Sequence, residues 1–168
     1  MSQNFAHFVP LLLADVDRLL EIEQSAYEFP WSRGNFIDSL NAGYVGRKRV
    51  DGAGIWLGYF IAMPGVDELH LLNLTVAPAH QRCGHARAML DRLVNEARAL
   101  GAQRVWLEVR VSNERAQQVY RRYGFCEVGL RRGYYPAGTL ARENALVMSL
   151  DLAVDGGAAA LPTSDALD

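Results

Sequence analysis

Leu71-Leu72-Asn73-Leu74-Thr75-Val76 leads through Gln81-Arg82-Cys83-Gly84-His85-Ala86 into a long segment that ends near Leu100. The first six residues, mostly apolar or β-branched, read as a strand. In the last segment Ala86, Met89, Leu90, Leu93, Val94, Ala97 and Leu100 recur at helical spacing, which predicts one continuous apolar face. The junction between them is a tight turn of small residues at a helix start. There several backbone N–H groups lack intrahelical partners, and the macrodipole adds partial positive charge. Such a turn suits a phosphate or pyrophosphate. Gly84 has no Cβ to hinder a close approach, and Ala86 keeps the second small position small. G-x-G-x-x-G and G-x-x-x-x-G-K-[ST] are both absent, so taken alone the turn reads first as plain architecture.

The 168 residues suit one domain, placed over 1–152, large enough to bury a core without staples. The tail, 153–168, is rich in Ala and Gly, lacks aromatics and is expected to be disordered. Its three aspartates account for more than the whole net charge of −2, so the body is near +1. Lys48 is the one lysine among 17 basic residues, and the arginines are scattered. That gives no support to nucleic-acid binding. The apolar run Ile55 to Met63 is too short to span a bilayer. No basic region precedes Phe8 to Ala14, so a signal peptide is not expected. Two cysteines, Cys83 and Cys126, in no metal or redox spacing point to a reducing cytoplasm.

The pattern predicts a first strand at Asn4 to Val9, a helix capped by Asp15, and a short helix capped by Ser32. Tyr44 to Val50 and Ile55 to Met63 form a hairpin around Asp51-Gly52-Ala53-Gly54. The strand Glu68 to Val76, the helix from His85, the strand from Arg104 and the helix from Glu114 follow. Strands near Cys126 to Arg132 and Ala145 to Leu152 end the domain. This is α+β, a mixed sheet with helices on both faces.

Val105-Trp106-Leu107-Glu108-Val109 carries a carboxylate amid apolar neighbours, followed by Ser112-Asn113 and Tyr120-Arg121-Arg122-Tyr123-Gly124-Phe125. The ordered set Q-R-x-G-x-A, a strand, then S-N-x-x-A-x-x-x-Y-x-x-x-G-F resembles the GCN5-related N-acetyltransferase (GNAT) superfamily over about Asp67 to Leu152. The resemblance implies a mostly antiparallel sheet and acetyl-CoA as co-substrate, with no metal. It places the pantetheine arm along the backbone of Leu74, Thr75 and Val76. The turn Arg82, Cys83, Gly84, His85, Ala86 and Arg87 would then wrap the pyrophosphate. Asn113, which by position is a helix cap, would also touch the CoA arm.

Transfer of acetyl from a thioester to an amine needs a neutral amine, a donor for the developing oxyanion and a proton for the leaving thiolate. An α-amine is roughly one-tenth neutral at pH 7, whereas a lysine amine demands about 3 kcal/mol more help. Strand alternation puts Glu108 on one face with Trp106 and Arg110. Desolvation there would raise its pKa. Spacing alone favours instead an ion pair with Arg110 or Arg104. The pattern W-L-E-V-R resembles the RimI branch of the superfamily, and that resemblance makes Glu108 the general base. It makes Tyr120 the acid and leaves Tyr123 as packing. Cys83 sits at a helix start but has no base nearby, so direct transfer in a ternary complex is expected. His7, His70 and His80 form no metal spacing.

Phe29-Pro30-Trp31-Ser32 and Leu130-Arg131-Arg132-Gly133-Tyr134-Tyr135-Pro136 resemble the same branch, which acetylates the N-terminal alanine of a small-subunit ribosomal protein. Trp31, Tyr134 and Tyr135 would then line the peptide groove, although Trp31 is equally a core anchor. Gly133 stands where many relatives carry asparagine, and Ala86 replaces a common glycine. A lysine or small-molecule amine as acceptor, or a CoA-binding module without transfer, are the alternatives.

Overall fold

Runs of alternating apolar residues pair in antiparallel fashion through the centre of the chain and make a seven-stranded sheet. The computed structural model describes residues 5–152; the tail 153–168 lies outside the described residues. In chain order the elements are β1 (His7–Pro10), α1 (Val16–Ala26), α2 (Arg33–Asn41), β2 (Val45–Val50), β3 (Trp56–Pro64) and β4 (Glu68–Val76). They continue with α3 (His85–Ala99), β5 (Arg104–Arg110), α4 (Glu114–Tyr123), β6 (Cys126–Pro136) and β7 (Arg142–Asp151). The strand order is β1-β2-β3-β4-β5-β7-β6, antiparallel throughout except for β4 against β5. The expected mixed, mostly antiparallel α+β architecture is what the chain adopts.

Two cores lie on opposite faces. On one, Met89, Leu90, Leu93, Val94 and Ala97 of α3 and Tyr120 of α4 pack on Leu69, Leu71, Val105, Leu107 and Val109. On the other, Val16, Leu19 and Ile22 of α1 and Phe36 of α2 pack on Tyr59 and Ile61. The apolar face read on α3 is buried from Met89 to Ala97; Ala86 at the helix start is half-buried, and Leu100 lies beyond the last helical turn and is exposed.

Ser32 caps α2 with a reciprocal bond to Asn35, as its position predicts. Asp15 does not cap α1 with its side chain. It closes the 3-10 turn before the helix by accepting from Leu12 N at 2.8 Å, and it pairs with Lys48 Nζ at 2.7 Å. β6 is longer than expected, because two extra residues bulge out of the ladder between Arg131, opposite Ala145, and Tyr135, opposite Glu143.

Candidate active site

The one parallel pair opens the molecule. Its ladder ends at Leu71 opposite Leu107, although β4 runs on to Val76 and β5 to Arg110. Past that point the two strands part, and along the parted edges the carbonyls of Leu74 and Glu108 accept from the hydroxyls of Tyr27 and Tyr135 rather than from the facing strand. A β-bulge sets which side chains face the gap: Ile61 pairs with Asn73 and Ala62 with Leu71, so Leu72 is the extra residue. The bulge shifts the alternation, sending Asn73 and Thr75 into a buried polar network and leaving Leu74 and Val76 to line the opening.

The opening is a cleft of about 850 Å³ between β4, α3 and α4. Leu74, Val76, Arg82, Gly84, His85, Ala86, Arg87, Asn113 and Tyr120 line it together. Two of the ten residues named for the coenzyme are not among those that line it. Thr75 is buried with its hydroxyl on Asn73, and Cys83 turns back onto the carbonyl of Gln81.

Gly84 adopts φ of +82° as the N-cap of α3, while a Cβ there would meet nothing within 4 Å. Its need for glycine is therefore conformational within the protein itself. Arg82 also has positive φ, at 62°. Left-handed residues in such a turn curl successive N–H groups into a concave anion site. At the helix start His85 Nδ1 accepts from Arg49 Nε at 3.3 Å, and burial, followed by the charge of Arg49 and the neighbouring His80, pushes the imidazole below its usual range.

Arg82, Arg87, Arg115 and Arg122 all line this cleft, and among the described residues none pairs with a carboxylate. Arg115 is held by Gln81 Oε1 at 3.1 Å. Arg115 and Arg122 were not singled out from the sequence. Their seven-residue separation along α4, with Val119 between them, was the available signal.

At the inner end, Tyr120 is buried, and burial raises its pKa, with Tyr27 and Tyr135 adding to the effect. Tyr123 differs: its hydroxyl donates to Asp91 Oδ1 at 2.8 Å. Tyr27, which sequence reading missed, lines the cleft beside Tyr120 and bonds Leu74 O and Thr75 Oγ1.

Glu108 is not paired with Arg110 or Arg104, the partners spacing suggested. Those arginines hold Glu143 and Asp151. The Glu108 carboxylate instead lies between His70 Nε2 at 2.6 Å and Arg131 Nη1 at 2.8 Å, with its side chain 5% exposed. His70 stacks on Trp106, ring centroids 3.6 Å apart, because the two residues are directly opposite in the parallel register.

The bulged end of β6 arches towards this carboxylate. Tyr135 Oη donates to Glu108 O at 3.0 Å, and its ring packs edge-on to Tyr134. Gly133, with φ of +56°, is bound to Asn144. Glycine tolerates that conformation best, with asparagine next. Arg110 lies over both Tyr135 and Phe29, tying the α1–α2 segment to the β6 bulge. Trp31 packs on Phe36 in the second core, and its backbone N–H donates to Glu23.

A model of the acetyltransferase (GNAT) family matches residues 16–125. The chain belongs to that family. A [ribosomal protein bS18]-alanine N-acetyltransferase of Haemophilus ducreyi is 41% identical over 138 residues, spanning 82% of this chain and 94% of that protein. The enzyme of the same name from Escherichia coli is 36% identical over 140 residues, 83% and 93% of the two chains. The crystal structure of the ribosomal-protein-S18-alanine N-acetyltransferase from Escherichia coli superposes with a TM-score of 0.81 at 34% identity, covering 90% of this chain and 97% of that one. As a GNAT protein the chain is an N-acetyltransferase. No helix among the described residues is long and apolar enough to cross a membrane, and both cysteines are free.

Proposed function

We propose that this GNAT enzyme transfers acetyl from acetyl-CoA to the α-amine of a protein N-terminus, the N-terminal alanine of ribosomal protein bS18, by direct transfer in a ternary complex. The observation that carries this reading is the buried Glu108 carboxylate. It sits between His70 and Arg131, under an arch of Tyr134 and Tyr135 next to the CoA-sized cleft. The relatives at 36–41% identity, named for that reaction, support the choice of acceptor.

The cleft fits acetyl-CoA on three counts. It has parted strand edges for the amides of the pantetheine arm, left-handed residues at a helix start for the pyrophosphate, and four arginines without carboxylate partners among the described residues for a coenzyme bearing about four negative charges. When bound, acetyl-CoA supplies the thioester carbonyl that the amine attacks. Backbone N–H groups near Leu74 and Val76 are the donors for that carbonyl oxygen. Glu108 removes a proton from the α-ammonium. Little driving force is required, since an α-amine is about one-tenth neutral at pH 7. The Tyr120 phenol delivers a proton to the departing thiolate, and its raised pKa keeps that proton in place through neutral pH. Tyr134, Tyr135 and Phe29 flank the peptide; Trp31 acts from behind by fixing the α1–α2 segment. A reducing cytoplasm is the compartment we infer, in keeping with exposed free Cys83 and Cys126.

The test is acetyl transfer read by mass spectrometry with two peptides. One has a free N-terminal alanine; the other has a blocked N-terminus and an internal lysine. Modification of only the free α-amine is expected. Acetylation of the lysine instead overturns the acceptor, and no transfer to either overturns the peptide reading.

A further inference from the structure

We propose that His70, neutral and protonated at Nε2, is the positioning residue for Glu108: it holds the carboxylate in the orientation from which the substrate proton is taken. The inference rests on the proposed role of Glu108 as base and adds a residue from a different strand. His70 Nε2 is 2.6 Å from Glu108 Oε2, the length of a strong charge-assisted bond. Both side chains are nearly enclosed, at 9% and 5% exposure. The imidazole has little freedom, since its ring lies flat on Trp106 with a 10° interplanar angle.

The tautomer follows from the other nitrogen. His70 Nδ1 is buried and has no hydrogen-bond partner among the described residues. An unprotonated Nδ1 leaves one acceptor unpaired. A protonated Nδ1 would place an N–H donor where nothing accepts it, and in the neutral tautomer it would also turn the Nε2 lone pair onto the carboxylate oxygen 2.6 Å away, which costs more. Nε2 therefore carries the proton and donates it to an ionised Glu108. A relay in which Glu108 hands a proton on to His70 would need the costly Nδ1–H form, so the geometry favours positioning over relay.

The two carboxylate oxygens are held unequally. Oε2 faces the fixed, stacked imidazole, whereas Oε1 faces Arg131, whose side chain is 49% exposed on the edge strand β6. Oε1 is thus the oxygen that a substrate ammonium reaches when it takes the place of the guanidinium. A glutamate freed from His70 would rotate with Arg131, and a misplacement of about 1 Å costs up to about 100-fold in rate.

Three variants test this. His70→Gln keeps an N–H at nearly the reach of Nε2, His70→Asn places it a bond short, and His70→Leu removes it. The expected order of kcat is wild type and Gln close together, with Asn and Leu lower by about 10-fold or more; acetyl-CoA binding, measured by calorimetry, reports that each variant is folded. Loss of a donor to the ionised carboxylate also moves the acid limb of the kcat profile to higher pH for Asn and Leu. The charged and titratable groups around Glu108 that remain in every variant are Arg131 and Tyr135 of β6, Arg110 of β5 and its partner Glu143 of β7. Equal kcat and acid limbs in all four proteins would make His70 mere packing and overturn the proposal. A Gln variant as slow as Leu would also overturn it, in favour of a relay through the imidazole. Full turnover by Glu108→Gln, measured separately, would remove the base itself and is distinct from either result.

Discussion

Tyr135 reaches from β6 over the intervening β7 to donate its hydroxyl to the backbone carbonyl of Glu108 on β5, at 3.0 Å. One bond thus sets the height of the β6 bulge above the proposed base. Removing it in Tyr135→Phe costs about 1 kcal/mol, the usual net value of such a bond. The arch loosens while the ring and its stacking on Arg110 persist. We expect peptide KM to rise several-fold with acetyl-CoA KM unmoved. Equal changes in both constants would show that the bond organises the whole site instead.

Glu108→Gln keeps the shape but loses the charge, and its amide N–H2 competes with the donors of His70 and Arg131. General-base catalysis is typically worth about 10²–10⁴-fold, and kcat should fall within that range. Acetyl-CoA affinity, read by calorimetry, should stay near wild type, since Glu108 is not among the residues lining the cleft. A variant turning over at the wild-type rate removes Glu108 from the role.

Much of this site was legible along the chain, because its parts are local. The turn at Gly84, the face of α3 and the Asn113 cap each depend on residues within one or two helical turns. The surroundings of Glu108 do not. Its partners arrive from β4, by parallel register, and from β6, two strands away across β7. Spacing within β5 could only suggest Arg104 and Arg110. The bulge at Leu72 was equally hidden, since strict alternation would have put Leu74 on the face that Asn73 and Thr75 occupy. Trp31 reads from its neighbours in sequence equally as a groove residue or a core anchor, and its packing on Phe36 comes from a contact that spacing does not show.

Arg115 and Arg122 should contribute to coenzyme affinity through phosphate contacts. Substituting either by alanine removes a charge-assisted interaction worth about 1.5 kcal/mol or more, so acetyl-CoA KM rises about 10-fold. The wild-type KM should climb with salt, and the climb should be shallower in the double variant because exposed charges are screened. Steady-state kinetics from low to moderate ionic strength provide the check; parallel salt slopes would exclude these arginines from phosphate binding.

Glu23 is 2% exposed and accepts from Tyr59 Oη, from Asn73 Nδ2 at 3.2 Å and from Trp31 N at 3.0 Å. Glu23→Ala leaves those three donors without their acceptor. Each buried donor left without its acceptor costs about 1–3 kcal/mol. Thermal unfolding should shift down by about 2–4 °C per kcal/mol in a chain of this size. A shift below about 2 °C would mean that other acceptors take over the released donors.

Alkaline pH should unfold the protein earlier than its acidic residues would suggest. Burial pushes Tyr27 up to about 12, its hydroxyl enclosed by Thr75 and Leu74 although the ring edge is exposed, and burial raises Tyr59 and Tyr120 as well. In the unfolded chain these phenols titrate near pH 10. Between pH 10 and about 12 the unfolded state has therefore lost protons that the folded state keeps, and stability falls as pH rises. The contribution is full below pH 10 and drains away through the folded-state values. Lys48 is the one lysine, so the seven tyrosines dominate that window. Urea midpoints measured from pH 8 to pH 11 should be level to about pH 9.5 and then decline, and the decline should be less steep in Tyr120→Phe. A flat profile to pH 11 would mean that these hydroxyls are as hydrated in the folded protein as in the unfolded chain.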